Sequence, residues 1–288
     1  NSVKEWAVQK GLQQWPNAAT QLVGDPPIIE LPRRQEGDQL SPILPPNPFT
    51  DILAIRDMDR FVGRGMEQRR LTAMLEGGSV SLLGDEPKIG KSSLMRYLAH
   101  NWDGDVIGPL DCNILIDRED FFMQIVEGLN LDNCDWRTIR GALQNRRVLL
   151  LLDELDVAPD HGLTHDDLAR FRAVSSSNPG FKMVTASRLF LKDIFPDPGR
   201  GSPAYSFLQP FTLGPLPEEE ALNLLSHPWA PDAPTFDEVT CNELLTLSGC
   251  HPFKIQRAAF HRYEALADPS YDWRAAFHRD VEHMLGTY

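Results

Sequence analysis

The sequence predicts an α/β domain built on a parallel sheet and followed by a small all-helical region. Three observations carry that prediction. Short apolar runs alternate with helix patterns across residues 60–215, the signature of strand–helix–strand units. The run from Val148 to Leu152 is apolar on consecutive residues, as in a strand covered on both faces. After Leu216 the strand-like runs stop and helix patterns follow one another to the end.

Eight of the 23 prolines fall in the first 48 residues, which rules out regular helix and removes ladder donors there. Residues 16–48 are read as an extended linker, after a short helix over residues 3–15 with Trp6 and Trp15 as anchors. Residues 66–75 show a helix pattern stopped by Gly77 and Gly78. Residues 79–83 form a short strand, and residues 84–93 a loop feeding a helix that runs to about Asn101. A second strand region covers 106–116, with helices near 118–129 and 135–145. Residues 148–153 are the buried strand. Residues 166–175 are helical, with Thr164 and Asp167 spaced as an N-cap and its acidic third residue. Strands follow at 181–186 and 211–213. Pro217 with Glu218, Glu219 and Glu220 suits the first turn of a helix. Helices near 218–226, 237–248, 252–267 and 272–285 complete the chain. The expected division is a short helix and proline-rich linker over 1–48, an α/β domain over 49–216 and a small helical domain over 217–288.

Composition excludes several classes. The 28 basic and 41 acidic residues give a net charge of −13, which argues against a nucleic-acid backbone as the main partner. No apolar run approaches the roughly 20 residues of a membrane span. The four cysteines contain no C-x-x-C and read as reduced thiols in a cytoplasmic protein. The chain starts at Asn1 and is read as a piece of a longer protein.

The strongest motif is Leu82-Leu83-Gly84-Asp85-Glu86-Pro87-Lys88-Ile89-Gly90-Lys91-Ser92-Ser93. It has the order strand, loop, Gly-Lys-Ser, helix. Loop amides and a helix N-terminus aim donors at phosphate oxygens. Lys91 supplies a mobile cation, Ser92 a hydroxyl for Mg²⁺, and Gly90 a close backbone approach. The usual G-x-x-x-x-G-K-[ST] spacing asks for glycine where Asp85 stands, so the loop is one residue longer or carries an acid in a glycine position. Some 60 residues on, the buried strand ends in Asp153 and Glu154, where ligand sites of parallel sheets lie. Asp153 would hold Mg²⁺ through water and Glu154 would act as general base. Arg188, at the end of the next strand, is placed to reach a γ-phosphate or to serve as a surface charge.

Taken together these residues resemble the STAND class of P-loop ATPases, signalling relatives of the AAA+ proteins, over about residues 57–285. Phe61-Val62-Gly63-Arg64 is similar to that family's entry motif, whose backbone receives adenine. Residues 82–94 are similar to its phosphate loop, Leu152-Asp153-Glu154 to its Walker B acids, and Thr185-Ala186-Ser187-Arg188 to its sensor segment. Residues 213–221 resemble the lead into its helical lid. Ser248-Gly249-Cys250-His251-Pro252-Phe253 resembles its Gly-x-Pro element, in which Pro252 would close over the adenine. The resemblance implies binding sites for ATP or ADP at Phe61, Val62, Gly63, Arg64, Gly84, Lys88, Ile89, Gly90, Lys91, Ser92, Ser93 and Pro252. It implies Mg²⁺ at Ser92 and Asp153, and catalysis by Glu154, Lys91 and Arg188. It further implies slow hydrolysis, a homo-oligomer in the ATP state, and an effector attached N-terminally. Two other readings remain: a catalytically idle nucleotide-binding module, and an origin-recognition-type ATPase associated with DNA.

The remaining features, His251 apart, are read as structural. His161 and His165 have metal-ligand spacing, but Gly162 interrupts the helix that would align them. Arg140, Arg146 and Arg147 read as a solvated helix end. Phe253, Phe260, Tyr263, Trp273 and Phe277 read as the core of the helical region. His251 is expected near the nucleotide.

Overall fold

The computed structural model describes residues 44–84, 86–196, 199 and 202–286. The expected helix at 3–15, most of the proline-rich stretch and Asp85 lie outside them. Residues 44–50 carry no helix or strand, in line with their prolines.

Five strands form one sheet: Ser79–Leu83 (β1), Asp105–Asp111 (β2), Val148–Asp153 (β3), Phe181–Ser187 (β4) and Leu208–Thr212 (β5). Their order is β2-β3-β4-β1-β5, and every neighbouring pair is parallel. β2 ends before the expected residue 116 because Asp111 caps a 3-10 turn over Cys112–Ile114, accepting the Asn113 N–H at 2.9 Å. β5 starts earlier than expected and contains Pro210; it is an edge strand, where a missing donor is tolerated.

The helices are Gly65–Gly77 (α1), Lys91–His100 (α2), Arg118–Leu129 (α3), Trp136–Gln144 (α4), His165–Ser177 (α5), Leu191–Ile194 (α6), Glu218–Leu225 (α7), Glu238–Ser248 (α8), Pro252–Ala267 (α9) and Trp273–Leu285 (α10). The pattern missed α6 and the 3-10 turns at Leu155–His161 and Ala204–Phe207, which are too short to show a period. Pro217 stands at the N-cap of α7, one place before the first-turn position expected. The Thr164–Asp167 capping box opens α5, and Arg118 forks onto the buried Asp167 at 2.6 and 2.9 Å.

The alternation of β3 across the sheet sorts the core into two layers. Val148, Leu150 and Leu152 face α3, α4 and α5 with Phe121, Ile125, Ile139 and Phe171. Leu149 and Leu151 face α1 and α2 with Leu71, Leu75, Leu94 and Met95. A consecutive apolar run is what two covered faces require.

A third cluster belongs to the C-terminal helices, where Tyr263, Trp273 and Phe277 are buried as expected. Phe49 joins this cluster, stacked on Phe236 with ring centroids 5.8 Å apart. The chain before it is tied to α9: Asn47 donates to Phe260 O, and the Tyr263 hydroxyl to Pro45 O. Among the described residues no helix is long and apolar enough to cross a membrane.

Candidate functional site

The loop between β1 and α2 is shaped by its glycines. A Cβ on buried Gly84 would lie 2.7 Å from Ile89 Cγ2, so the loop folds back over a residue that has no side chain. Gly90, the N-cap of α2, has a φ of 106°, in the left-handed region that glycine enters freely. Among the described residues no side chain caps α2. The first-turn N–H groups therefore face outward as an anion seat.

Lys91 opens that helix and is only 6% exposed. Burial pushes its pKa down, while Glu154, Asp156 and Asp153 pull it up. The loop lysine and the acids of β3 thus share one electrostatic site, although β4 separates their strands. Asp153 is buried, and desolvation raises its pKa against the neighbouring Ser92 hydroxyl, which lowers it. Glu154 is half-buried in a left-handed conformation, φ 51°, with its N–H donated to Asp153 Oδ1 at 3.0 Å. Burial, then the Asp153 charge, raises its pKa. Arg188 is exposed, and its charge is felt by both Lys91 and Glu154. Asp156, which sequence reasoning did not single out, accepts the N–H groups of Arg188 and Leu189 at 2.8–3.0 Å and so holds that segment beside the acids.

A cavity of about 340 Å³ opens in front of the loop. Of the residues expected to bind a ligand, Phe61, Val62, Arg64, Lys88, Ile89, Gly90, Lys91, Ser92, Ser93, Glu154 and Pro252 line it. Gly63, Gly84, Asp153 and Arg188 stand outside its wall. The sequence did not single out Asp51, Ile52, Leu53, Ala54, Ile55, Arg60, Leu216, Leu224 and Gln256 as lining residues. Phe253, expected in the helical core, also lines the cavity, with the Lys88 ammonium 4.9 Å from its ring centroid. Its position beside Pro252 was the available signal. Residues 52–55 form a strap across the loop: Lys88 donates to Ile52 O, Ser93 Oγ accepts the Ile55 N–H, and Arg96 donates to Ala54 O.

Besides the Lys88–Phe253 contact, two further contacts join the helical region to the α/β domain. Arg64 is buried at a φ of 65°, its guanidinium donating to Ile89 O at 2.9 Å. Its own N–H is taken by Glu220 Oε2 at 2.6 Å, and the Gly65 N–H by Glu220 Oε1 at 2.9 Å. The Arg64 N–H is therefore engaged by a carboxylate of α7, and the residue braces the loop. Glu220→Ala is expected to cost about 2 kcal/mol in urea unfolding, the value of two charge-assisted bonds at a helix start.

The second contact is His251, the N-cap of α9, whose Nε2 lies 3.2 Å from Pro87 O. Beside it Lys254 pairs with Glu86 at 2.6 Å. Burial pushes the His251 pKa down to about 4, with Glu86 opposing and Lys254 and Arg64 assisting. The unfolded chain then binds more protons below pH 6.5, so this group's contribution to stability falls as pH drops from 6.5 towards 4. His251→Asn keeps a capping side chain without the titration. The stability difference between wild type and His251→Asn is expected to shift by about 3 kcal/mol between pH 7 and pH 4, read by urea unfolding.

His165 Nε2 accepts the Ala204 N–H at 2.9 Å, and Gly162 ends the preceding turn at φ 83°. Among the described residues no group of three or more His, Cys, Asp or Glu could hold a metal ion. Arg147 lies 4.9 Å over the Trp102 ring, and Arg146 donates to Leu129 O. All four cysteines are free, and burial pushes the Cys112 thiol up to about 12.

No family model and no curated protein matches the sequence. Solved structures do. The Walker-type ATPase paby2304 of Pyrococcus abyssi is 18% identical with a TM-score of 0.64, over 82% of this chain and 75% of that one. The ORC2 protein of Aeropyrum pernix, solved as ADPNP–ADP complexes, is 11% identical with a TM-score of 0.56, over 84% and 72%. The ORC1 protein of Aeropyrum pernix, solved in complex with DNA, is 14% identical with a TM-score of 0.53, over 76% and 66%. This chain thus spans about two thirds to three quarters of these relatives. The parallel sheet, its loop and the helical C-terminal region are those of the Walker-type P-loop ATPase fold.

Proposed function

We propose that the chain binds ATP or ADP with Mg²⁺, hydrolyses ATP slowly, and acts as a nucleotide-controlled switch in a larger cytoplasmic protein. One observation carries the reading: the buried Lys91 at the open N-terminus of α2 shares its site with Asp153 and Glu154. The residues fit the implied groups. A di- or triphosphate suits an uncapped helix start and a buried ammonium. Mg²⁺ is commonly held by one or two carboxylates with substrate phosphates, which matches Ser92 and Asp153 and needs no protein cage. Bound there, the ion would neutralise phosphate charge.

Lys91 and the α2 amides hold the phosphates. Glu154 takes the proton of the attacking water, its raised pKa matching a base that works in a water-poor cleft. Arg188 senses the γ-phosphate, held by Asp156. Phe61, Val62 and Pro252 receive the base. The switch requires that ATP and ADP favour different states, an oligomer and a closed monomer, because equal affinity for both shifts nothing. Signalling through an N-terminal effector follows from the resemblance to STAND ATPases. The test is calorimetric titration with ADP and ATP in Mg²⁺, multiple-turnover phosphate release, and light scattering in each state. Binding without turnover would leave the idle module, and no binding would end the proposal.

The fold likeness to ORC1 in complex with DNA favours a second reading, an origin-recognition-type ATPase. Salt-sensitive binding of duplex DNA by this chain would support it against the net charge of −13.

A further inference from the structure

We infer that Gln256 is the residue that reads the base, its amide pairing with the 6-amino edge of adenine. The inference rests on the nucleotide reading above and names a side chain that the motifs do not contain. Gln256 lies on α9 one turn after Pro252, on the same face, and both line the cavity. It is 6% exposed, and its Oε1 is buried without a hydrogen-bond partner among the described residues. Two other lining side chains, Asp51 and Arg60, also hold a buried unpartnered atom. Those two already pair with each other at 2.8 Å, whereas Gln256 Oε1 accepts no hydrogen bond among the described residues.

The surroundings select the ligand group. The cavity that Gln256 lines also has apolar lining from Val62, Leu216, Leu224 and Pro252, and such a surface suits a flat ring rather than a phosphate. A neutral amide cannot balance phosphate charge, but it offers an acceptor and a donor side by side. Adenine presents the complementary pair, an amino group next to a ring nitrogen, which a Gln amide meets with two bonds. A buried amide acceptor is costly to leave unmade, so a ligand that satisfies it gains selectively. A purine without the amino group leaves it unmade.

The test compares ADP with purine riboside 5′-diphosphate, which lacks only the 6-amino group, on wild type and on Gln256→Met, a side chain of similar length without polar atoms. Wild type is expected to prefer ADP about tenfold, and Gln256→Met to bring the ratio near one by weakening ADP alone. An equal ratio in the two proteins, or a wild-type ratio of one, overturns the inference while leaving nucleotide binding intact. The wild-type ratio needs no variant, so a Gln256→Met protein that failed to fold would not shield the idea. Failure of wild type to bind either diphosphate would instead remove the nucleotide reading together with this one.

Discussion

Lys91→Met is expected to weaken ADP binding about a hundredfold while leaving the nucleotide-free protein as stable as wild type or more so. The first half follows from the place of the ammonium at the open end of α2, where its charge-assisted bonds to phosphate are worth about 3 kcal/mol. The second half follows from the direction of its pKa. Burial lowers it despite three nearby acids, so the folded protein holds this cation at a cost. Methionine keeps the packing of the stem and removes that cost. Calorimetric titration reads the affinity and urea unfolding reads the stability. Unchanged ADP affinity would detach the loop from phosphate, and a large loss of stability would make Lys91 a structural ion instead.

Glu154→Gln is expected to lower ATP turnover by roughly 100-fold or more, the usual contribution of a positioned general base, with ADP affinity nearly unchanged. Glutamine keeps the shape and the strained backbone but cannot take a proton. Glu154 lines the cavity, whereas Asp153 does not line it and neighbours the Ser92 hydroxyl. The two adjacent acids are therefore expected to separate in experiment: Asp153→Asn should weaken Mg²⁺-dependent binding, and Glu154→Gln should spare it. Multiple-turnover phosphate release checks the first variant against wild type. Equal rates would remove Glu154 from the base role.

Much of this arrangement is written locally. The strand–loop–helix around Lys91 is legible because an apolar strand, a short loop and Gly90-Lys91-Ser92 follow one another in the order a phosphate seat needs. The β3 acids are legible because five buried apolar residues end abruptly in charge. The capping box at Thr164 and Asp167 is a pair of residues three apart, and it formed as spaced. What the sequence conceals are contacts between distant segments. Glu220 reads as a helix-dipole acid, yet its oxygens cap α1 across 155 residues of chain. Ser93 reads as a phosphate-loop hydroxyl, yet it accepts the Ile55 N–H of the strap. Gln256 looks like an ordinary helix residue until the cavity is seen beside it. Nothing in residues 51–60 marks them as a wall, because their partners come from the loop and from the helices.

The junction of α9 with residues 86 and 87 has a consequence for what can actuate this protein. A histidine held neutral down to about pH 4 in the closed contact, and free to protonate near 6.5 once released, makes that contact weaken as pH falls through this window. The catch between helix and loop is thus loosened by protons. Its other half, the exposed pairing of Lys254 with Glu86, answers to ionic strength and to whatever anion settles a few residues further on at Gly90 and Lys91. Displacing α9 would break its contacts with Glu86 and Pro87, so an anion at the loop and the position of the helix would act on the same few residues.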